Sequence, residues 1–111
     1  MNHGSWSTKG KKMKRFEMFI GMNYKEDGIS RSWQATTVEL TVTTTLLDSN
    51  IDGFSAHWIT GYWKGEKEAT YHVIIFTDLP DNLLLNIAYV LKHALKQESV
   101  LATIDNAVYF I

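Results

Sequence analysis

Hydrophobic side chains recur along this chain at two spacings, every second residue in some segments and every third or fourth residue in others. Alternation at every second residue predicts β-strands, because successive strand side chains point to opposite faces of a sheet. The segments with this pattern are residues 15–22, 54–63, 68–77, 99–104 and 107–111. The tetrapeptide Lys64-Gly65-Glu66-Lys67 predicts a hairpin turn between the second and third of them, and Asp105-Asn106 predicts a turn between the last two.

A first helix is expected after the polar loop of residues 23–28, with Ser30 or Ser32 as its cap. Six Thr and two Val between positions 36 and 45 favour a strand by propensity. The length of the segment favours a helix, since a strand of that length is uncommon, and Leu40 and Leu47 lie on one stripe at helical spacing. We predict a helix.

A second helix is predicted from residue 78 to the region of Gln97. Asp78 or its neighbour is expected to cap it, and Pro80 to lie in the first turn, where its missing N–H costs nothing. Asp81 would complement the positive end of the helix dipole. The apolar stripe that would face the core consists of Leu84, Ile87, Leu91 and Leu95.

The order strand, helix, strand, strand, helix, strand, with one further strand, predicts an α+β, ferredoxin-like βαββαβ sandwich with an antiparallel sheet. Its helices cover one face of the sheet, so the other face must be polar or covered. Neither face of the second strand is polar, because Phe54, Trp58 and Tyr62 lie on one side and Ile59 and Trp63 on the other. This predicts an oligomer that buries the second face.

Composition narrows the chemistry that the chain can perform. Its 111 residues suit a single domain, and the absence of Cys excludes disulfides, iron–sulfur ligation, zinc–cysteine sites and a cysteine nucleophile. No apolar run is long enough for a membrane span, and the first dozen residues lack the apolar segment of a secretory signal. We expect a cytoplasmic protein with no membrane contact.

The charge is divided unevenly along the chain. Five of the 11 basic residues lie among the first fifteen positions, whereas positions 16–111 hold 6 basic and 12 acidic residues. Residues 1–14 are therefore predicted to form a flexible basic tail, and 15–111 a single ferredoxin-like domain. A body this acidic repels a phosphate backbone, so we expect no nucleic-acid partner.

Four histidines raise the question of a metal. His57 and His72 are expected on paired strands, but no carboxylate has the spacing that a metal site requires, so a histidine hydrogen-bonded to a neighbour is the preferred interpretation. The sequence contains no Gly-rich phosphate loop and no nucleophile elbow. No metal and no cofactor are predicted.

The hairpin carries the most suggestive cluster, in which Trp58, Tyr62 and Trp63 lie within ten positions of Glu66 and Glu68. Ring faces and carboxylates both attract positive charge, so this set suits an organic cation in a partly dry pocket. The alternative is an ordinary hairpin with packed rings and solvated acids.

Four short motifs in the second half of the chain resemble the small phage enzymes that degrade S-adenosylmethionine, known as hydrolases and better described as lyases. They are Gly61-Tyr62-Trp63, Glu68-Ala69-Thr70, Asn86-Ile87-Ala88 and Gln97-Glu98-Ser99-Val100-Leu101. The family motif is Gly-x-Tyr, and here the aromatic residue is displaced by one. Either Tyr62 or Trp63 would therefore be the functional ring.

The resemblance implies a PII-like homotrimer with S-adenosylmethionine bound between subunits and cleaved, without metal or cofactor, into 5′-methylthioadenosine and L-homoserine lactone. The expected catalytic residue is Glu68, which would hold the substrate's ammonium or a hydroxyl in a lyase and activate water in a hydrolase. The expected substrate-binding residues are Trp58, Tyr62, Trp63, Gln97 and Glu98. Removal of the methyl donor would starve host restriction systems. Two alternatives are a PII-like trimer that binds or sequesters an adenosine-type ligand without cleaving it, and an interaction module with no ligand.

Overall fold

A computed structural model describes residues 12–111. The elements in chain order are β1 Lys14–Gly21, β2 Asn23–Glu26, β3 Ile29–Ser32, α1 Ala35–Asp48, β4 Ser55–Trp63, β5 Glu66–Thr77, α2 Asp81–Ala94, β6 Leu101–Ile104 and β7 Ala107–Phe110. Most of the predicted basic tail lies outside the described residues.

The five-stranded sheet has the order β4-β5-β1-β6-β7, and every neighbouring pair is antiparallel. The two helices complete the βαββαβ arrangement, to which the separate β2–β3 hairpin and the edge strand β7 are additions. The predicted ferredoxin-like fold is confirmed.

The core lies between one face of the sheet and the two helices. Phe16, Met18 and Ile20 of β1 are fully buried, as strand alternation requires when one face is covered. Helix α1 buries Val38, Val42 and Leu46, not the stripe through Leu40 and Leu47, which are 66% and 54% exposed. The helix itself was predicted correctly, but its buried face was not, because its many Thr residues leave the periodicity weak.

The predicted start of α1 is wrong. Ser30 and Ser32 belong to β3, and the helix begins at Ala35 with Gln34 as an N-cap that makes no side-chain hydrogen bond. The expected loop of residues 23–28 is instead the strand β2 and a turn. Asp27 and Gly28 have φ of 52° and 76°, the positive values that a tight type I′ hairpin requires.

The ends of α2 also differ from expectation. Pro80, with extended backbone, is the N-cap in place of Asp78, whereas Asp81 lies in the first turn as predicted. The helix ends at Ala94 and not near Gln97, because Lys96 adopts a left-handed φ of 53°. Gln97 and Glu98 therefore lie in the α2–β6 connection.

Candidate active site

The β4–β5 hairpin extends past the end of β1. Strand β1 stops pairing with β5 at Gly21 and Thr70, whereas β4 and β5 stay paired as far as Trp63 and Glu66. We call residues 60–69 the hairpin arm. The side chains of Tyr62 and Trp63 on this arm are 71% and 40% exposed.

The register of the arm divides the predicted cluster between two faces. Trp58 is paired with Tyr71, which is buried against the helices, so Trp58 and Tyr62 lie on the helix side of the sheet. Trp63 and Glu68 point to the opposite, open face. Within one subunit the side chains of Trp58 and Tyr62 therefore point to the opposite face of the sheet from that of Glu68.

The carboxylate of Glu68 lies against the backbone of Gly21 and Asn23. A Cβ built on Gly21 would lie 2.6 Å from both carboxylate oxygens, so this side chain occupies the space above the glycine. The backbone N–H of Asn23 donates to Glu68 Oε2 at 3.1 Å. Thr70, two residues along the same face, fills the corresponding space at Gly61, where a Cβ would lie 2.4 Å from its Oγ1.

Asn23 connects Glu68 with Gln97. Its carbonyl accepts a hydrogen bond from Gln97 Nε2 at 3.2 Å, and its side-chain Oδ1 accepts one from Ser32 Oγ at 2.6 Å. Gln97 is buried, and its Nε2 also donates to the Leu95 carbonyl. Asn23 is not among the predicted site residues, because it contributes through its backbone N–H and C=O, which no side-chain pattern identifies.

Glu98 ties the tip of the arm to the α2–β6 connection. Its Oε2 accepts a hydrogen bond from Trp63 Nε1 at 2.8 Å, and its Oε1 accepts one from Lys64 Nζ at 2.6 Å. The hydrogen bond from Lys64, followed by that from Trp63, lowers the pKa of Glu98 below its ordinary value. Two residues predicted to bind substrate, Trp63 and Glu98, are thus in direct contact.

A shallow hollow of about 480 Å³ lies along the arm. Its lining residues are Trp58, Ile59, Thr60, Lys67, Glu68 and Ala69. The indole N–H of Trp58 donates to Glu39 Oε2 at 2.8 Å, and its ring lies 4.8 Å from that of Tyr71. Burial, and secondly the charge of Glu39, raise the pKa of Tyr71. Trp58 is therefore held rigidly beside the hollow.

A larger hollow of about 570 Å³ lies at the other end of the sheet, where Met13, Phe76 and Leu83 contribute to its walls. It contains none of the predicted site residues. Its lining includes one aromatic ring, Phe76, and the acids Asp52 and Asp78, but it lacks the three rings of the arm.

The histidines of the open face form a hydrogen-bonded group. His57 and His72 are paired across β4 and β5 with 3.4 Å between Nε2 and Nδ1, as the interpretation of a hydrogen-bonded histidine requires. His72 Nε2 lies 2.8 Å from Glu17 Oε1, and Thr103 Oγ1 donates to the other oxygen of Glu17 at 3.1 Å. Sequence spacing did not predict that Glu17 would join this group.

Among residues 12–111, no group of three or more His, Asp or Glu side chains is arranged to hold a metal ion. Within the same range, neither helix has the length and apolar character needed to cross a membrane.

Comparison with known proteins rests on structure. No family model matches the sequence, and no curated protein matches it. A phage SAM lyase in complex with S-methyl-5′-thioadenosine has a TM-score of 0.67 and 19% sequence identity, with 92% of this chain and 91% of that chain covered. A phage SAM lyase in the apo state has a TM-score of 0.65 and 18% identity, covering 88% and 87%.

The chain has the fold of these phage lyases. The structural similarity extends over about nine-tenths of each chain. It therefore includes the first half of this chain, which contains none of the four motifs. It supports the resemblance to the S-adenosylmethionine-degrading phage enzymes that the four motifs indicate.

Proposed function

We propose that this protein is an S-adenosylmethionine lyase, which releases 5′-methylthioadenosine and L-homoserine lactone. The observation that carries the proposal is that the sequence motifs and the fold independently indicate the same class of enzyme. Residues from three of the four motifs, namely Trp63, Glu68, Gln97 and Glu98, gather at one end of the sheet in a chain whose fold matches that of the lyase structures. Asn86 and Ile87 of the remaining motif line the hollow at the other end.

The reaction that we propose needs no external nucleophile. An oxygen of the substrate's carboxylate attacks its own γ-carbon, the C–S bond breaks, and the electron pair goes to sulfur. A five-membered lactone and a neutral thioether result. Opposite charges are neutralised in the transition state, so a site that excludes water and holds the methionine moiety bent accelerates the step.

Glu68 serves in this proposal as an anchor and not as a proton acceptor. A carboxylate pressed against the sulfonium would stabilise the ground state and slow the reaction. Its fixed position over Gly21 suits it to hold the substrate's ammonium or a hydroxyl and so maintain the bend. Trp58, Tyr62 and Trp63 offer ring faces to the cationic substrate. Glu98, which accepts hydrogen bonds from the arm, and Gln97, which donates to Asn23, are the further residues that contact the ligand in this proposal.

We propose that the site is completed by an adjacent subunit of a homotrimer. Trp58 and Tyr62 lie on the opposite face of the arm from Glu68, and the hollow along the arm is open to solvent. A neighbouring chain laid against the arm would close the hollow and exclude water. In a phage-infected cell, we place this activity in the host cytoplasm, where consuming the methyl donor would oppose restriction.

The test is incubation of the purified protein with S-adenosylmethionine, with products identified by mass spectrometry before the lactone opens. The lyase yields cyclic homoserine lactone, whereas a hydrolase yields open homoserine directly. In a lyase, Glu68→Gln should reduce lactone formation by only about tenfold, because the amide still forms hydrogen bonds to the substrate. In a hydrolase, the same change should nearly abolish homoserine formation, because the amide cannot activate water as a general base. Intact substrate after prolonged incubation would contradict the lyase. A thermal shift with adenosine compounds would then indicate binding without cleavage, and no shift would indicate an interaction module with no ligand.

A further inference from the structure

We propose that Gly21 is a positioning residue for Glu68, and that Gly21 together with the backbone N–H of Asn23 forms a fixed support for the Glu68 carboxylate. The proposal rests on the proposed function for its effect on catalysis. Its geometry comes from this chain alone. We call the Gly21 Cα and the Asn23 N–H the Glu68 support.

Gly21 is not required by its own backbone conformation. The left-handed glycines among the described residues are Gly28 and Gly65, and Gly21 is not one of them. It lies at the end of β1, paired with Thr70 in a regular ladder, where the backbone conformation suits any residue and most residues would favour the strand more than glycine does. The property that matters is therefore its lack of a side chain.

The space above Gly21 is filled by the functional end of Glu68. The two carboxylate oxygens and the carboxyl carbon lie 2.6, 2.6 and 2.7 Å from the position of a Cβ at Gly21. The three atoms that the added methyl would meet most closely all belong to the flexible end of the Glu68 side chain. Gly21→Ala should therefore leave the fold intact and move the carboxylate off the Asn23 N–H, which it now meets at 3.1 Å.

A displaced anchor affects turnover more than folding. A shift of about 1 Å in a positioning group can cost on the order of 100-fold in rate. We expect Gly21→Ala to lower kcat for lactone formation by about 10- to 100-fold, with a smaller rise in KM. The matched control is Gly53→Ala, because a Cβ at Gly53 meets nothing within 4 Å and its φ is not positive. It should leave kcat unchanged.

Rescue distinguishes positioning from general damage. In a Gly21→Ala, Glu68→Asp double variant, the shorter side chain clears the new methyl group. The double variant should therefore be more active than the product of the two single losses predicts. Independent losses that simply multiply would overturn the proposal, as would a Gly21→Ala variant with wild-type kcat.

A second readout does not depend on activity. The backbone N–H of Asn23 donates to Glu68 Oε2, so its hydrogen exchange, followed by NMR, should be slower in the wild type than in Glu68→Ala, which lacks the acceptor. Gly21→Ala should exchange at Asn23 as fast as Glu68→Ala, and Gly53→Ala as slowly as the wild type. If the wild type cleaves no S-adenosylmethionine, the proposed function fails while this comparison still decides whether the support exists. Exchange at Asn23 that is equally slow in Gly21→Ala and the wild type refutes the support.

Discussion

Glu17 is a charged residue in a largely covered position, with its side chain 13% exposed on the open face of the sheet. Burial raises its pKa, but hydrogen bonds from His72, Arg15 and Thr103 outweigh that effect, so the pKa is lowered overall. The stabilisation is therefore present above the unfolded pKa of about 4.3 and is lost as the pH falls through the lower folded value. At pH 7, Glu17→Gln should lower the free energy of unfolding by about 1–2 kcal/mol.

The pH dependence of that loss is the decisive measurement. Urea unfolding of wild type and Glu17→Gln should converge as the pH falls below about 4, because the wild-type carboxyl is then protonated as well. Glu66→Gln is the matched control, since Glu66 is exposed at the far end of the arm, and it should leave stability unchanged within about 0.5 kcal/mol. A deficit of Glu17→Gln that stays constant down to pH 3 would contradict the role of the charge.

At the scale of elements, α1 begins without a capping side chain. Gln34 at the N-cap makes no side-chain hydrogen bond, and the first turn contains no acidic residue. Gln34→Asp should raise the free energy of unfolding by about 0.5–1 kcal/mol, because Asp accepts a hydrogen bond from the N-terminal amides. Thermal unfolding measures the change. Gln34→Glu carries the same charge on a longer side chain, so an equal gain in both variants would attribute the effect to charge alone.

Elements with one buried face were predictable from the sequence, and elements without one were not. Strands β1, β4 and β5 alternate because one side packs on the helices, so their periodicity is visible. All four residues of β3 are exposed, which leaves no hydrophobic period to read, and its hairpin with β2 was missed. The Asp27-Gly28 turn was the remaining local signal.

For the candidate site, the sequence supplied candidate residues but not their arrangement. The motifs indicate Glu68 and Gln97 as candidates, yet the contact between them runs through the backbone of Asn23, far away in sequence. Register decides that Glu68 lies over Gly21 and that Tyr62 points to the other face. Register depends on packing of the whole sheet, and local periodicity does not contain it.

At the scale of the whole molecule, the open face of the sheet carries many apolar side chains. They are Phe19, Ile59, Ile74, Phe76, Leu101, Val108 and Phe110. Phe76, Val108 and Phe110 are 61%, 59% and 67% exposed in a single chain. Exposed apolar side chains on one face of a sheet are typical of an interface, and we propose that this face, with the polar group of Glu17, His57 and His72 among them, is the surface through which the homotrimer forms.

Ile74→Lys tests this interface without harming the monomer. Ile74 pairs with Glu17 across β1 and β5 on the open face, so the introduced ammonium meets a carboxylate in a single chain but would be buried in an assembled trimer. Light scattering after size exclusion should show a trimer for the wild type and a monomer for Ile74→Lys, with lactone formation reduced at least tenfold if the site lies between subunits. The control is Leu40→Lys, because Leu40 is 66% exposed on α1 and lies away from the open face of the sheet. This variant should remain trimeric and active. A monomeric wild type, or a monomeric Ile74→Lys variant with full activity, would contradict a site completed by a neighbouring subunit.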